Sequence, residues 1–157
     1  MTSHRYLASA LFFSCLIAAA GCGDGHPARV PVSGQVLIDG KPLKHGTIKF
    51  IPTGHRASQG KLDENGRFTL SCYGNNDGAV IGKHRVEVAS FEMVKPTLMR
   101  WQAPKKYQDQ ATSELTQEIT GPTDSVVINL TWDGGKPFDE TYFTGEADYK
   151  KLEDSKK

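Results

Sequence analysis

The chain has 157 residues, 38% of them hydrophobic, which leaves room for a short leader and one domain rather than two sizeable ones. Its formal net charge is +1, so no global field steers it to DNA, RNA or an acidic surface, and nucleic-acid binding by bulk charge is excluded. Three cysteines, Cys15, Cys22 and Cys72, cannot supply a disulfide framework once the leader is considered, so the domain must rest on an ordinary apolar core.

Residues 1–21 carry the three parts of an export signal: basic His4 and Arg5, an apolar stretch from Leu7 to Ala20, and small residues before the cut. The apolar run is shorter than the roughly 20 residues of a membrane span. The box Ala19-Ala20-Gly21-Cys22 resembles the end of a bacterial lipoprotein signal peptide, in which the cysteine is lipid-modified and becomes the first mature residue. Ala19 departs from that pattern, which usually has Leu, Val or Ile there. The alternative is a plain signal peptide cut near Ala20, leaving Cys22 as a free thiol. The anchored reading makes the membrane a partner through Cys22 and places the protein in the cell envelope, facing the periplasm. Each acyl methylene buried would add about 0.8 kcal/mol to membrane residence. Removing residues 1–21 costs one basic residue, Arg5, and leaves 18 Lys and Arg against 18 Asp and Glu.

Residues 22–30 then read as a short, flexible lipidated tether punctuated by Gly and Pro. Residues 31–133 read as the domain. Val30, Val32, Gly34, Val36 and Ile38 alternate with Pro31, Ser33, Gln35 and Leu37, the period of a half-buried strand. Gly34 falls on the inward face, which predicts a bulge or a close backbone crossing. Asp39-Gly40-Lys41-Pro42 predicts a turn, with Leu43 packing back on the core. Residues 46–52 form the next strand, with Ile48 and Phe50 on one face, and Pro52 ends it. A polar loop, 53–56, precedes strands at 57–62 and 67–72, joined by Asp63-Glu64-Asn65-Gly66, whose Asn-Gly pair is a hairpin signal.

Tyr73 to Gly78 is read as a loop, and residues 79–90 as a strand with His84, Val86 and Val88 pointing inward. Residues 91–113 show no clear period and are read as a crossover, with helix conceivable only over 99–107, where Pro96 and Pro104 interrupt it. Strands at 114–119 and 125–132 complete the domain, the last with Val126, Ile128, Leu130 and Trp132 on one face. Residues 134–157 lose the pattern and are expected to be a disordered tail. About seven short strands with frequent turns predict an all-β fold, an antiparallel β-sandwich.

The ordered series Val32-Ser33-Gly34-Gln35-Val36, Asp39-Gly40-Lys41-Pro42-Leu43, residues 46–52, Asp63 to Phe68, Asp77-Gly78-Ala79 with Gly82, and Val86-Glu87-Val88 is similar to a family. It resembles the small lipoproteins with a carboxypeptidase-regulatory-like, or transthyretin-like, domain of planctomycete-type bacteria, over roughly residues 30–132. The resemblance implies a non-catalytic envelope domain and brings no catalytic residues. His84 stands where that family commonly has an aromatic residue. The same fold hosts a 5-hydroxyisourate hydrolase whose signature includes a terminal Tyr-Arg-Gly-Ser; this chain reads Asp154-Ser155-Lys156-Lys157.

No motif of a hydrolase elbow, zincin or redox dithiol occurs, and neither an enzyme nor a cofactor is expected. His45, His55 and His84 offer zinc-type ligands, but an extended strand holds His45 and His55 roughly 20 Å or more apart. They are read as two surface residues and one at the core edge, with no metal site. Asp63-Glu64-Asn65 and Asn75-Asn76-Asp77-Gly78 are read as turn chemistry rather than calcium ligands. Asn129-Leu130-Thr131 matches a glycosylation sequon but falls mid-strand, and Cys72 is read as a small buried apolar residue. The domain is expected to act as a structural or interaction module, with an envelope protein or glycan as partner. The alternative is a carbohydrate- or small-ligand-binding lipoprotein using the 91–107 loop, with Trp101 and Tyr107 as binding residues. Against it stands a loop that merely packs its own apolar side chains over the sandwich edge.

Overall fold

A computed structural model describes residues 25–141. The fold is all-β, with mainly antiparallel sheets, consistent with a β-sandwich. Thirteen strands follow in chain order: β1 Arg29–Val30, β2 Val32–Ile38, β3 Lys41–Pro42, β4 Thr47–Pro52, β5 Ser58–Lys61, β6 Arg67–Thr69, β7 Ala79–Val80, β8 Gly82–Ala89, β9 Phe91–Lys95, β10 Leu98–Trp101, β11 Thr116–Ile119, β12 Thr123–Leu130 and β13 Phe138–Thr141. Among the described residues there is no α-helix; a single 3-10 turn covers Lys105–Gln108. The helix conceivable over 99–107 is therefore replaced by the end of β10 and this one turn.

One sheet is built on β2, with β12 on one side and β3 and β6 on the other. A second runs β11-β8-β4-β5. Period two decides which side chains enter the space between them. Val32 and Val36 from β2, Phe68 from β6, and Val126, Ile128 and Leu130 from β12 share one core with Ile48 and Phe50 from β4 and Val86 and Val88 from β8. Phe50 is fully buried, its ring 5.9 Å from Phe68 and 5.8 Å from His84. Full burial of each such side chain stabilises the fold by about 1.5–3 kcal/mol before entropy is counted.

Three features depart from the sequence expectation. First, β12 pairs with β2 in parallel, so the sheets are not wholly antiparallel. The two strands lie at opposite ends of the domain's sequence, and no tight turn between them imposes an antiparallel sense. The ladder shifts register between Thr123 and Val126, where Gly34 lies so close that a Cβ on it would sit 2.1 Å from the Val126 carbonyl oxygen. The predicted close crossing at Gly34 is this one.

Second, the turn at Asp63 forms, but its arms part. Asp63 Oδ1 accepts from the backbone N–H groups of Asn65 and Arg67, each at 2.8 Å. Beyond it β6 pairs with β2, whereas β5 pairs with β4, and only Gln59 and Ser71 bridge the two arms. The expected hairpin is thus a corner that carries the chain from one sheet to the other.

Third, residues read as crossover and tail form a separate sheet in the order β13-β10-β9. Residues 138–141, expected within a disordered tail, are its strand β13; residues 142–157 lie outside the described residues. All five residues of β9 are exposed, so no inward face imposes the alternation by which a strand is recognised. The sheet is held across its strands instead. Arg100 donates from Nε and Nη2 to the two carboxylate oxygens of its register partner Asp139, at 2.6 and 2.9 Å. Trp101 is flanked in register by Phe91 and Phe138.

Candidate functional site

Cys22, the predicted lipidation site, lies outside the described residues, as does the whole leader. Of the tether read for residues 22–30, residues 22–24 lie outside the described residues, and the described part touches the domain. His26 stacks on Tyr73 with ring centroids 3.8 Å apart and planes 11° from parallel. Arg29 forms an ion pair from Nε to Asp77 Oδ2 at 2.8 Å, lies over the Tyr73 ring at 5.0 Å, and begins strand β1, which pairs with β7. Residues 26–30 are therefore docked on the domain.

Their dock is the loop from Cys72 to Gly78. Asp77 organises it by accepting from the backbone N–H of Cys72 at 2.6 Å through Oδ1, and from Tyr73 and Gly74 at 3.0 and 2.9 Å through Oδ2. Desolvation favours the neutral acid, but these three donors and the Arg29 charge outweigh it and hold the carboxyl at about 2. Gly78 is required here: its φ is +82°, and a Cβ would lie 1.8 Å from the Val30 carbonyl oxygen. Through these bonds the Asp77 carboxylate closes the turn from Cys72 to Gly78.

Trp101 and Tyr107 are both withdrawn from the surface. They are 4% and 5% exposed. Trp101 Nε1 donates to Glu140 Oε2 at 2.8 Å, and Lys105 Nζ lies 5.4 Å from the Trp101 ring centroid. Glu140 also accepts from Lys105 Nζ at 2.8 Å, and the Lys105 and Trp101 bonds together hold its carboxyl below the usual carboxylate range. The Tyr107 hydroxyl donates to the Thr131 carbonyl at 3.4 Å and accepts from the Thr131 N–H at 3.2 Å. The rings and polar atoms of both residues, read as binding residues, are engaged in packing 91–107 over the end of the domain. The physical cause is β13, which supplies Phe138 and Glu140 and encloses Trp101.

The three histidines are not brought together as ligands. His45 and His55 are exposed, and His84 is fully buried, further inside than the core-edge position read for it. His84 Nε2 lies 2.9 Å from the Val80 carbonyl, which fixes the proton on Nε2; Nδ1 has no partner among the described residues. Among the described residues no group of three or more His, Cys, Asp or Glu could hold a metal ion. Cys72 is a buried free thiol, and Asn129 is exposed on β12.

One feature escaped the sequence reading. Trp132, placed by phase on the core face, lies two residues past the end of β12 and is half-buried. It lines a cleft of about 790 Å³ at the end of β2 opposite the docked N-terminal segment. The signal available was its position: the core alternation of β12 closes at Leu130, and a turn through Asp133 and Gly134, both with positive φ, follows at once. A more open groove of about 820 Å³ runs over β5 and β6 past Lys61 and Arg67, where the nearby Asp63 carboxylate is committed to its own turn. Comparison with known proteins finds no family model, no curated protein and no solved structure that this chain matches.

Proposed function

We propose that the chain is a lipid-anchored cell-envelope protein whose domain is a non-catalytic structural or interaction module of the carboxypeptidase-regulatory-like, transthyretin-like type. The reading starts from the apolar run that stops at Cys22, and from the ordered motifs between Val32 and Val88. The observation that carries it furthest is the stacking of His26 on Tyr73, only four positions after Cys22. With an acyl group on Cys22, residues 23–25 would span at most about 14 Å between the lipid and the docked His26. The Cys72–Gly78 end of the domain would then face the bilayer, and the opposite end would be presented to the envelope. The ligand-binding alternative through 91–107 loses the two rings it relied on, because Trp101 and Tyr107 are buried.

Mass spectrometry of the mature N-terminus tests the anchor, with Cys22→Ser as its partner. Acyl mass on a peptide beginning at Cys22, and release of Cys22→Ser from the membrane fraction, are the expected results. An unacylated N-terminus together with a membrane-bound Cys22→Ser protein would overturn the reading.

A further inference from the structure

The two tryptophans of the domain are spent differently. Trp101 is enclosed, with its indole N–H given to Glu140. Trp132 is half-buried, and its indole N–H has no hydrogen-bond partner among the described residues and is not shut away from solvent. A partly exposed indole with an open donor, at the wall of a cleft of about 790 Å³, has the size and composition of a ligand site.

The cleft is built rather than incidental. One wall is the end of β3 at Pro42 and the connection to β4, including Lys44 and His45; the other carries Glu92 of β9 and Gln102, just past β10. Buried Ser90 ties both walls from below. Its Oγ donates to the His45 carbonyl at 2.5 Å, and its own carbonyl accepts from the Gln102 N–H at 2.9 Å. Gln102 Nε2 donates to Glu92 Oε1 at 3.1 Å, which orients that pair and leaves Glu92 Oε2 and Gln102 Oε1 as acceptors. Asp39 Oδ1 accepts from the Trp132 backbone N–H at 3.3 Å and holds the tryptophan against the same end.

We propose that this cleft binds an uncharged saccharide, with a sugar ring against the Trp132 indole and its hydroxyls bonded to Glu92, Gln102 and Lys44. The chemistry selects the class. A sugar offers an apolar ring face to an aromatic surface, and hydroxyls that donate and accept at once, matching a rim with donors and acceptors of both kinds. Lys41 and Lys44 are matched by Asp39 and Glu92, so the rim favours neither a polyanion nor a polycation. The site is independent of the anchor at Cys22, and the two can fail separately.

Titration calorimetry on the full chain in detergent, with cellohexaose and chitohexaose as uncharged probes and polygalacturonate as the charged comparator, tests this. At least one uncharged hexasaccharide should bind saturably at or below about 1 mM. Trp132→Ala should weaken it about tenfold or more, Trp132→Tyr should retain part of the affinity, and Gln102→Ala should cost several-fold. Trp132→Tyr and Gln102→Ala keep the test valid should Trp132→Ala not fold, as judged by circular dichroism. No binding by either uncharged probe, binding by polygalacturonate alone, or binding indifferent to both Trp132→Tyr and Gln102→Ala would each overturn the proposal.

Discussion

The paired sheets around β2 and β4 and the small β13-β10-β9 sheet are both made of short strands, but different forces hold them. In the first, Val36, Ile48, Phe50 and Val86 are fully buried and the energy lies in apolar area removed from water. In the second, Phe91, Met93, Val94 and Phe138 are each at least 39% exposed, and the strands are fastened by Arg100–Asp139, Lys105–Glu140 and the single enclosed ring of Trp101. Exposed ion pairs of this kind contribute little to stability but set register and geometry. The core is therefore a cooperative unit, and the small sheet is a local structure that shapes the cleft beside Trp132.

The strongest way to break this contrast is Phe50→Ala. Removing a fully buried ring between Phe68 and His84 should cost about 3–5 kcal/mol, read as a lower denaturation midpoint at unchanged slope. A loss below about 1 kcal/mol would mean that the two sheets do not share one core.

An intermediate effect belongs to Asp77 at the docked end. Its carboxyl is depressed in the folded state, so its contribution is fully present above the unfolded value near 3.9 and is lost as pH falls through about 2. The shift corresponds to about 2 kcal/mol. Asp77→Asn should lose about that much at pH 7, and its stability should fall less steeply than the parent's between pH 4 and pH 2. Parallel pH profiles for the two proteins would remove Asp77 as the organiser of the loop.

The smallest effect should come from Arg100→Ala. The global denaturation midpoint should stay within error, whereas amide exchange in β9, β10 and β13 should accelerate and lose its dependence on salt. A global loss as large as that of Asp77→Asn would show that the small sheet is part of the cooperative core after all.

These differences also explain what could be read without coordinates. Val32 and Val36, Ile48 and Phe50, Val86 and Val88, and Val126, Ile128 and Leu130 announce themselves by alternation because a core lies on one side of each strand only. Strand β9 has no such side, and β13 is short and polar at Asp139 and Glu140, so neither carries a readable period. His26 stacking on Tyr73 joins residues 47 positions apart through a contact for which no local pattern exists. The burial of Trp101 and Tyr107 was hidden for a related reason: their enclosure depends on Phe138, Glu140 and Thr131, from the far end of the domain.

By itself the sequence determined the all-β class, the core faces of the strands that border the core as far as Leu130, the close crossing at Gly34 and the turn at Asp63. Each of these depends on local backbone preference or on period two, and both are written in neighbouring residues. Only the tertiary structure decided that β12 joins β2 in parallel, that the arms of the Asp63 turn go to different sheets, and that residues 26–30 dock on the Cys72–Gly78 loop. It also decided which tryptophan is sealed and which is open. Those outcomes depend on which distant segments meet, and burial of an aromatic ring is a property of that meeting rather than of the ring's neighbours in the chain.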